Sequence, residues 1–140
     1  MMAEAFIEAG ADYIVCPGLV EEVAKTSDKH GMLWVPGCMT PSEIIAAENL
    51  GATFIKLFPG NILKPDFLSA VKELFQGLMF MPTGGVDTTK ENLSGWFKAG
   101  VSAVGMGSKL ITKQLMEAKD YAAIESATKE VLETIKSVRG

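Results

Sequence analysis

Five short apolar runs punctuate the chain, each closed at its C-terminal end by a proline or glycine corner and followed by a helical pattern. The runs are Tyr13–Cys16, Leu33–Val35, Thr53–Phe58, Leu78–Met81 and Ser102–Met106. Their corners are Pro17-Gly18, Pro36-Gly37, Pro59-Gly60, Pro82-Thr83-Gly84-Gly85 and Gly107-Ser108. Runs this apolar, without an alternating polar face, are expected of strands covered on both sides, which means a parallel sheet with helical crossovers. A spacing of about 20 to 25 residues per unit fits both a (β/α)8 barrel and a doubly wound sheet. The corners favour the barrel, because all of them fall at the C-terminal ends of strands, where barrel enzymes build their sites. Five units do not close an eight-stranded barrel. Either the chain is a fragment of such a barrel or the sheet is open, and the expectation from the residues is an α/β chain of TIM-barrel type with about five β/α units.

The helices between the runs carry local signals of their own. One is expected over Val20 to His30, with Glu21 and Glu22 favourable in its first turn and Gly31 past its end. Another starts after Thr40, with Pro41 at the first helical position and Glu43 at the third, the pattern of a capping box. Further helices are expected from about Pro65 to Phe75 and from Thr89 to Lys98. The tail from Lys109 to Arg139 reads as helical with a break near Ala118 to Asp120, and Ile124, Ala127, Val131 and Ile135 form one stripe. The opening MMAEAFIEAG has no basic residue and does not resemble a signal peptide; it reads as the second half of a helix.

Lys56 is the first candidate for chemistry. It lies within an apolar strand between Ile55 and Leu57, while the other lysines fall in loops or on helices with a polar face. Burial disfavours the charged ammonium, and a neutral amine is what carbinolamine and imine formation require. A lysine that merely snorkels to the strand end is the competing structural explanation. Thr83-Gly84-Gly85 ends the next strand, and two adjacent glycines let backbone N–H groups approach an anion. Gly107 and Ser108 end the strand after that; phosphate sites built from two successive late loops recur in barrels. Asp87 serves either as a helix cap or as a group approaching the site. No carboxylate lies inside any of the expected strands, so the general base of such a reaction has no candidate there.

With these residues placed, the sequence resembles the KDPG/KHG aldolases, which act on 2-keto-3-deoxy-6-phosphogluconate and 4-hydroxy-2-oxoglutarate. The resemblance rests on AGADYIVCPG, VPGCMTPSEIIAAENLGA, FIKLFPG, FMPTGGV and AVGMGSKL, in that order. It implies a class I aldolase in which Lys56 forms an imine with the C2 carbonyl of a phosphorylated 2-keto acid. It further implies that Thr83, Gly84, Gly85, Gly107 and Ser108 hold the phosphate, that Pro17 and Phe58 shape the pocket, and that no metal or organic cofactor is needed. The resemblance implies that residues 1–140 are one C-terminal portion of an incomplete (β/α)8 barrel lacking the first three strands. On those strands the family carries its glutamate base, its carboxylate-gripping arginine and a Gly-x-Gly-Thr segment; none of these has a counterpart here. Cys16 stands where the family usually has serine. A trimer is the assembly the resemblance implies. The alternative is a non-catalytic truncated or split barrel that binds phosphorylated ligands or oligomerises through its exposed edge.

The bulk composition excludes several other classes. With 48% hydrophobic and 21% charged residues the chain can bury a core. A net charge of -4 recommends neither nucleic acid nor an anionic membrane as partner, so an anionic substrate must be held by local geometry. Cys16, Cys38 and the single His30 have no metal-ligand spacing, and two reduced thiols fit a cytoplasmic protein. No apolar run approaches the ~20 residues of a membrane span.

Overall fold

A computed structural model describes residues 2–139. The elements alternate as the punctuation requires: α1 (Met2–Glu8), β1 (Tyr13–Val15), α2 (Glu21–Lys29), β2 (Leu33–Val35), β3 (Gly37–Cys38), α3 (Pro41–Asn49), β4 (Phe54–Leu57), α4 (Gly60–Val71), β5 (Met79–Pro82), α5 (Lys90–Ala99), α6 (Lys113–Glu117) and α7 (Tyr121–Val138). All strand pairs are parallel. β1 pairs with β2, and β3 pairs with β4, which pairs with β5. Pro36 separates β2 from β3, so the strand expected to close at the Pro36-Gly37 corner instead continues past it, pairing with β1 before the proline and with β4 after it. Proline lacks the N–H for a continuous ladder, yet its carbonyl accepts from Lys56 N–H at 2.8 Å. Neighbours thus follow chain order without a reversal, as in a barrel and unlike a doubly wound sheet.

The helices cover one face only. Ile14, Trp34, Ile55, Leu57 and Phe80 point into a single core cluster with Ala24, Ile44, Leu68, Leu93 and Trp96. Their strand neighbours point the other way, and there Tyr13 is 58% exposed, Leu33 41% and Met79 45%, against 0% for Ile55 and Phe80. This corrects the expectation of strands buried on both faces. An apolar run without alternation cannot show which side lacks a covering layer. On the open face Tyr13, Val15, Leu33, Val35, Phe54, Met81 and Ala103 line an apolar hollow of about 220 Å³.

Several boundaries differ from expectation. The helix expected from Pro65 begins at Gly60, with Lys64 at φ 59°, ψ 168° kinking it, because the residue before a proline is excluded from the helical region. Its end tightens into a 3-10 turn over Lys72–Leu74. The expected strand at Ser102–Met106 is reduced to one bridge, Thr83 with Gly105, supported by Ser102 N–H to Phe80 O at 2.9 Å and Gly105 N–H to Pro82 O at 2.8 Å. It has β5 on one side and no strand on the other, and its glycine weakens it further. The capping box forms as expected: Glu43 N–H donates to Thr40 Oγ1 at 3.2 Å and Thr40 N–H to Glu43 Oε2 at 2.8 Å. The break before α7 and its apolar stripe also stand where the sequence puts them. Lys109 to Thr112, expected as helix, are turn and coil instead.

Candidate active site

Lys56 shares its side of β4 with Phe54, on the uncovered face, while Ile55 and Leu57 enter the core. Its side chain is half-buried, less enclosed than a lysine walled in on both sides would be. Gly37 stands opposite it on β3 and Met81 on β5. The Lys56 Nζ lies over the Phe58 ring, 4.8 Å from its centroid. Phe58 follows Lys56 by two residues and so projects on the same side, about 7 Å further toward the C-terminal rim.

Phe58 is also where the second feature begins. It lines an open cavity of about 280 Å³ with Thr83, Gly84, Gly85, Val86, Gly105, Gly107, Ser108 and Lys109. Every residue singled out in the two glycine-containing loops therefore meets in one hollow, with Lys56 next to its Phe58 wall. Gly84 and Gly85 have φ of 86° and 69°, the left-handed region glycine tolerates. The backbone N–H groups of Gly84, Gly85, Gly107, Ser108 and Lys109 donate to no protein acceptor among the described residues. Several unpaired donors around a concave wall free of carboxylates are the arrangement by which backbone can recognise an anion.

The loops are fixed by contacts with one another. Gly60 N–H donates to Thr83 O at 2.7 Å, and Thr83 N–H to Leu57 O at 3.0 Å. A Cβ on Gly85 would lie 2.6 Å from Asn61 Cα, and one on Gly105 would lie 2.6 Å from Thr83 Oγ1. Asn92 on α5 holds the double-glycine turn from behind: its Nδ2 donates to Gly85 O at 2.9 Å and its Oδ1 accepts from Asp87 N–H at 3.1 Å. Asp87 does not reach the cavity. Its Oδ1 accepts from Thr89 N–H and Thr89 Oγ1, shaping the turn ahead of α5, and Thr89 is the N-cap.

Pro17 does not join the cavity. It is exposed and lines a separate hollow with Met2, Phe6 and Val23. Its carbonyl presses on Gly37, whose Cβ would sit 2.1 Å away, so the Pro17-Gly18 corner packs beside the strand neighbouring Lys56. Sequence reasoning missed Asn92 and Lys109. An asparagine three residues after a helix-capping threonine was the available signal for the first. A lysine following Gly107-Ser108 was the signal for the second.

Two groups near this rim are electrostatically perturbed. The Met39 N–H, then the Thr40 hydroxyl and N–H, hold the Glu43 carboxyl below its ordinary pKa. Burial, with the Glu43 charge adding to it, pushes the Cys38 thiol up to about 12. Among the described residues no three His, Cys, Asp or Glu side chains come together as a metal site, and no helix is long and apolar enough to cross a membrane.

Comparison with known proteins fits this geometry. Residues 1–127 match the family described as KDPG and KHG aldolase. The chain is 34% identical over 108 residues to the 2-dehydro-3-deoxy-6-phosphogalactonate aldolase of Escherichia coli K12, covering 76% of this chain and 52% of that protein. It is 31% identical over 133 residues to the KHG/KDPG aldolase of the same organism, covering 92% and 60%. The crystal structure of a 2-keto-3-deoxy-6-phospho-gluconate aldolase from Zymomonas mobilis superposes with a TM-score of 0.78 at 27% identity, covering 93% of this chain and 61% of that one. The open parallel sheet is thus part of the barrel of these aldolases. The chain belongs to the KDPG and KHG aldolase family, and it spans between half and two thirds of the length of these relatives.

Proposed function

We propose that this chain carries the imine-forming and phosphate-binding part of a class I aldolase acting on a phosphorylated 2-keto acid. The observation that carries the proposal is the Lys56 amine over the Phe58 ring, with the far end of that ring's pocket lined by free backbone donors. In the reaction, Lys56 Nζ attacks the C2 carbonyl and water leaves, giving an iminium. The C4 hydroxyl then loses its proton to a base, the C3–C4 bond breaks, and its electron pair moves into the iminium. For 2-keto-3-deoxy-6-phosphogluconate the fragment released is glyceraldehyde 3-phosphate. The enamine left on Lys56 takes a proton at C3, and hydrolysis frees pyruvate and the amine. Thr83, Gly84, Gly85, Gly107 and Ser108 are assigned to the phosphate. Phe58 packs on the reacting chain, and Pro17 acts at a distance, through Gly37. Neither a metal nor an organic cofactor enters this scheme.

The base has no candidate on the strands: Tyr13–Val15, Leu33–Val35, Gly37–Cys38, Phe54–Leu57 and Met79–Pro82 contain no carboxylate. The chain on its own is therefore expected to form the imine yet turn over slowly. Incubation with pyruvate and borohydride, followed by peptide mapping, tests this. A reduced adduct on Lys56, absent from Lys56→Ala, is the expected result. No adduct, or adducts spread evenly over the lysines, refutes the role of Lys56. The proposal also includes a cytoplasmic homo-oligomer, trimeric in keeping with the family resemblance.

A second reading has its own observation, the apolar hollow on the open face. In it the chain is a non-catalytic partial barrel that binds phosphorylated ligands and self-associates through this face. Light scattering separates the two: concentration-dependent assembly without pyruvate trapping supports the second.

A further inference from the structure

We infer that Lys109 is a specificity residue that selects a phosphate terminus over a carboxylate or neutral one, making this chain's substrate a phosphorylated sugar acid and disfavouring 4-hydroxy-2-oxoglutarate. The inference rests on the aldolase reading above and deepens it. Lys109 lines the glycine-walled cavity and, among the described residues, is the only charged one that does. It is exposed and forms no ion pair or side-chain hydrogen bond among the described residues, whereas Lys25, Lys113, Lys129 and Lys136 each pair with a glutamate. Backbone N–H groups alone recognise any anionic oxygen of suitable size. A cation beside them adds attraction that grows with the charge of the ligand, so a dianion gains more than a monoanion. In a chain of net charge -4, this lysine adds a positive side chain to the cavity wall, against the sign of the global field.

The test is titration of the whole chain with inorganic phosphate and, separately, with acetate, followed by amide chemical shifts of Gly85 and Ser108. The Lys109→Met variant is expected to bind phosphate about tenfold more weakly, the size of one charge-assisted hydrogen bond at an exposed position, with a smaller change for acetate. Lys109→Arg should restore most of the loss. Lys113→Met, which changes net charge equally from outside the cavity, should bind as the unaltered chain does. Equal phosphate affinity in the Lys109→Met and Lys113→Met variants overturns the role of Lys109. Binding in the Lys109→Met variant that is weakened for both anions alike also overturns it, since selectivity is the claim. Absence of phosphate binding in the unaltered chain overturns both this inference and the assigned phosphate site. Pyruvate trapping on Lys56 of the unaltered chain is read separately, so a failure at Lys109 is distinguished from a failure of the imine chemistry.

Discussion

Gly85→Ala is the substitution whose consequences the loop geometry makes most specific. Gly85 has φ 69°, and its added Cβ would lie 2.6 Å from Asn61 Cα and 2.9 Å from Asn61 N and Cβ. Two costs follow. An alanine held in the left-handed region loses about 1 kcal/mol. The contact is with backbone, which no rotamer change relieves, so overpacking adds about 1–3 kcal/mol. Alanine also narrows the unfolded ensemble, which returns roughly 0.4–1 kcal/mol. The net expectation is a loss of about 1–3 kcal/mol in urea unfolding followed by circular dichroism. Because Asn61 adjoins Gly60, whose N–H donates to Thr83 O at 2.7 Å, the displaced loop should also lose affinity for phosphate, by about tenfold. Gly107→Ala is the paired comparison, having no atom within 4 Å of its added Cβ and no positive φ. Its stability is expected within about 0.5 kcal/mol of the unaltered chain. Equal stabilities for the two variants, with phosphate binding intact in Gly85→Ala, would refute the loop packing described above.

Asn92→Ala removes both hydrogen bonds behind the double-glycine turn and is expected to cost about 1–2 kcal/mol while speeding hydrogen exchange at the Asp87 amide; unchanged exchange there would remove Asn92 from its positioning role. Glu43 has a lowered pKa, so its stabilisation is present above its unfolded value of about 4.3 and disappears as pH falls through the lower folded value. Glu43→Ala should therefore cost up to about 1 kcal/mol at neutral pH, discounted for solvent, and the gap should close in acid; a gap that widens in acid would contradict the sign. Cys38 is 1% exposed with its thiol pushed up to about 12, so at pH 8 about one molecule in ten thousand carries the thiolate. Ellman's reagent should reach it only after unfolding, and rapid native labelling of Cys38 would refute its burial.

The parts of the molecule legible in the sequence are those set by neighbours in sequence. Thr40, Pro41 and Glu43 encode a helix start within four residues, and the structure holds the capping box at that place. The glycine corners mark strand ends for the same reason. What was not legible depends on layers. The runs Tyr13–Val15 and Leu33–Val35 are apolar at every position, so they cannot report that one of their faces lacks a cover. The strand expected at Ser102–Met106 has the composition of a strand but not the second neighbour that would hold it as one. Within the candidate site, Gly84 and Gly85 stand out because adjacent glycines are unusual. Asn92 and Lys109 do not, since a polar residue on a helix or in a turn looks like ordinary surface until the cavity is seen.

The site divides along the same line. Its proposed anion end is made by contacts between consecutive units, Pro59-Gly60-Asn61 against Thr83-Gly84-Gly85 and Thr83 against Gly105, and by Asn92 against the turn at Gly85, four residues ahead of the Thr89 cap. None of these contacts needs a strand across the barrel. Lys56 is different, because its side chain projects from the uncovered face and the described strands offer it no carboxylate. Whatever removes the C4 proton must approach from the side opposite β4. Binding and bond cleavage should therefore separate in this chain: phosphate affinity and pyruvate trapping within about tenfold of complete relatives, and retro-aldol turnover lower by the ~100-fold or more that a positioned general base supplies. Turnover matching that of complete relatives would mean that a base is present among the described residues, outside the strands.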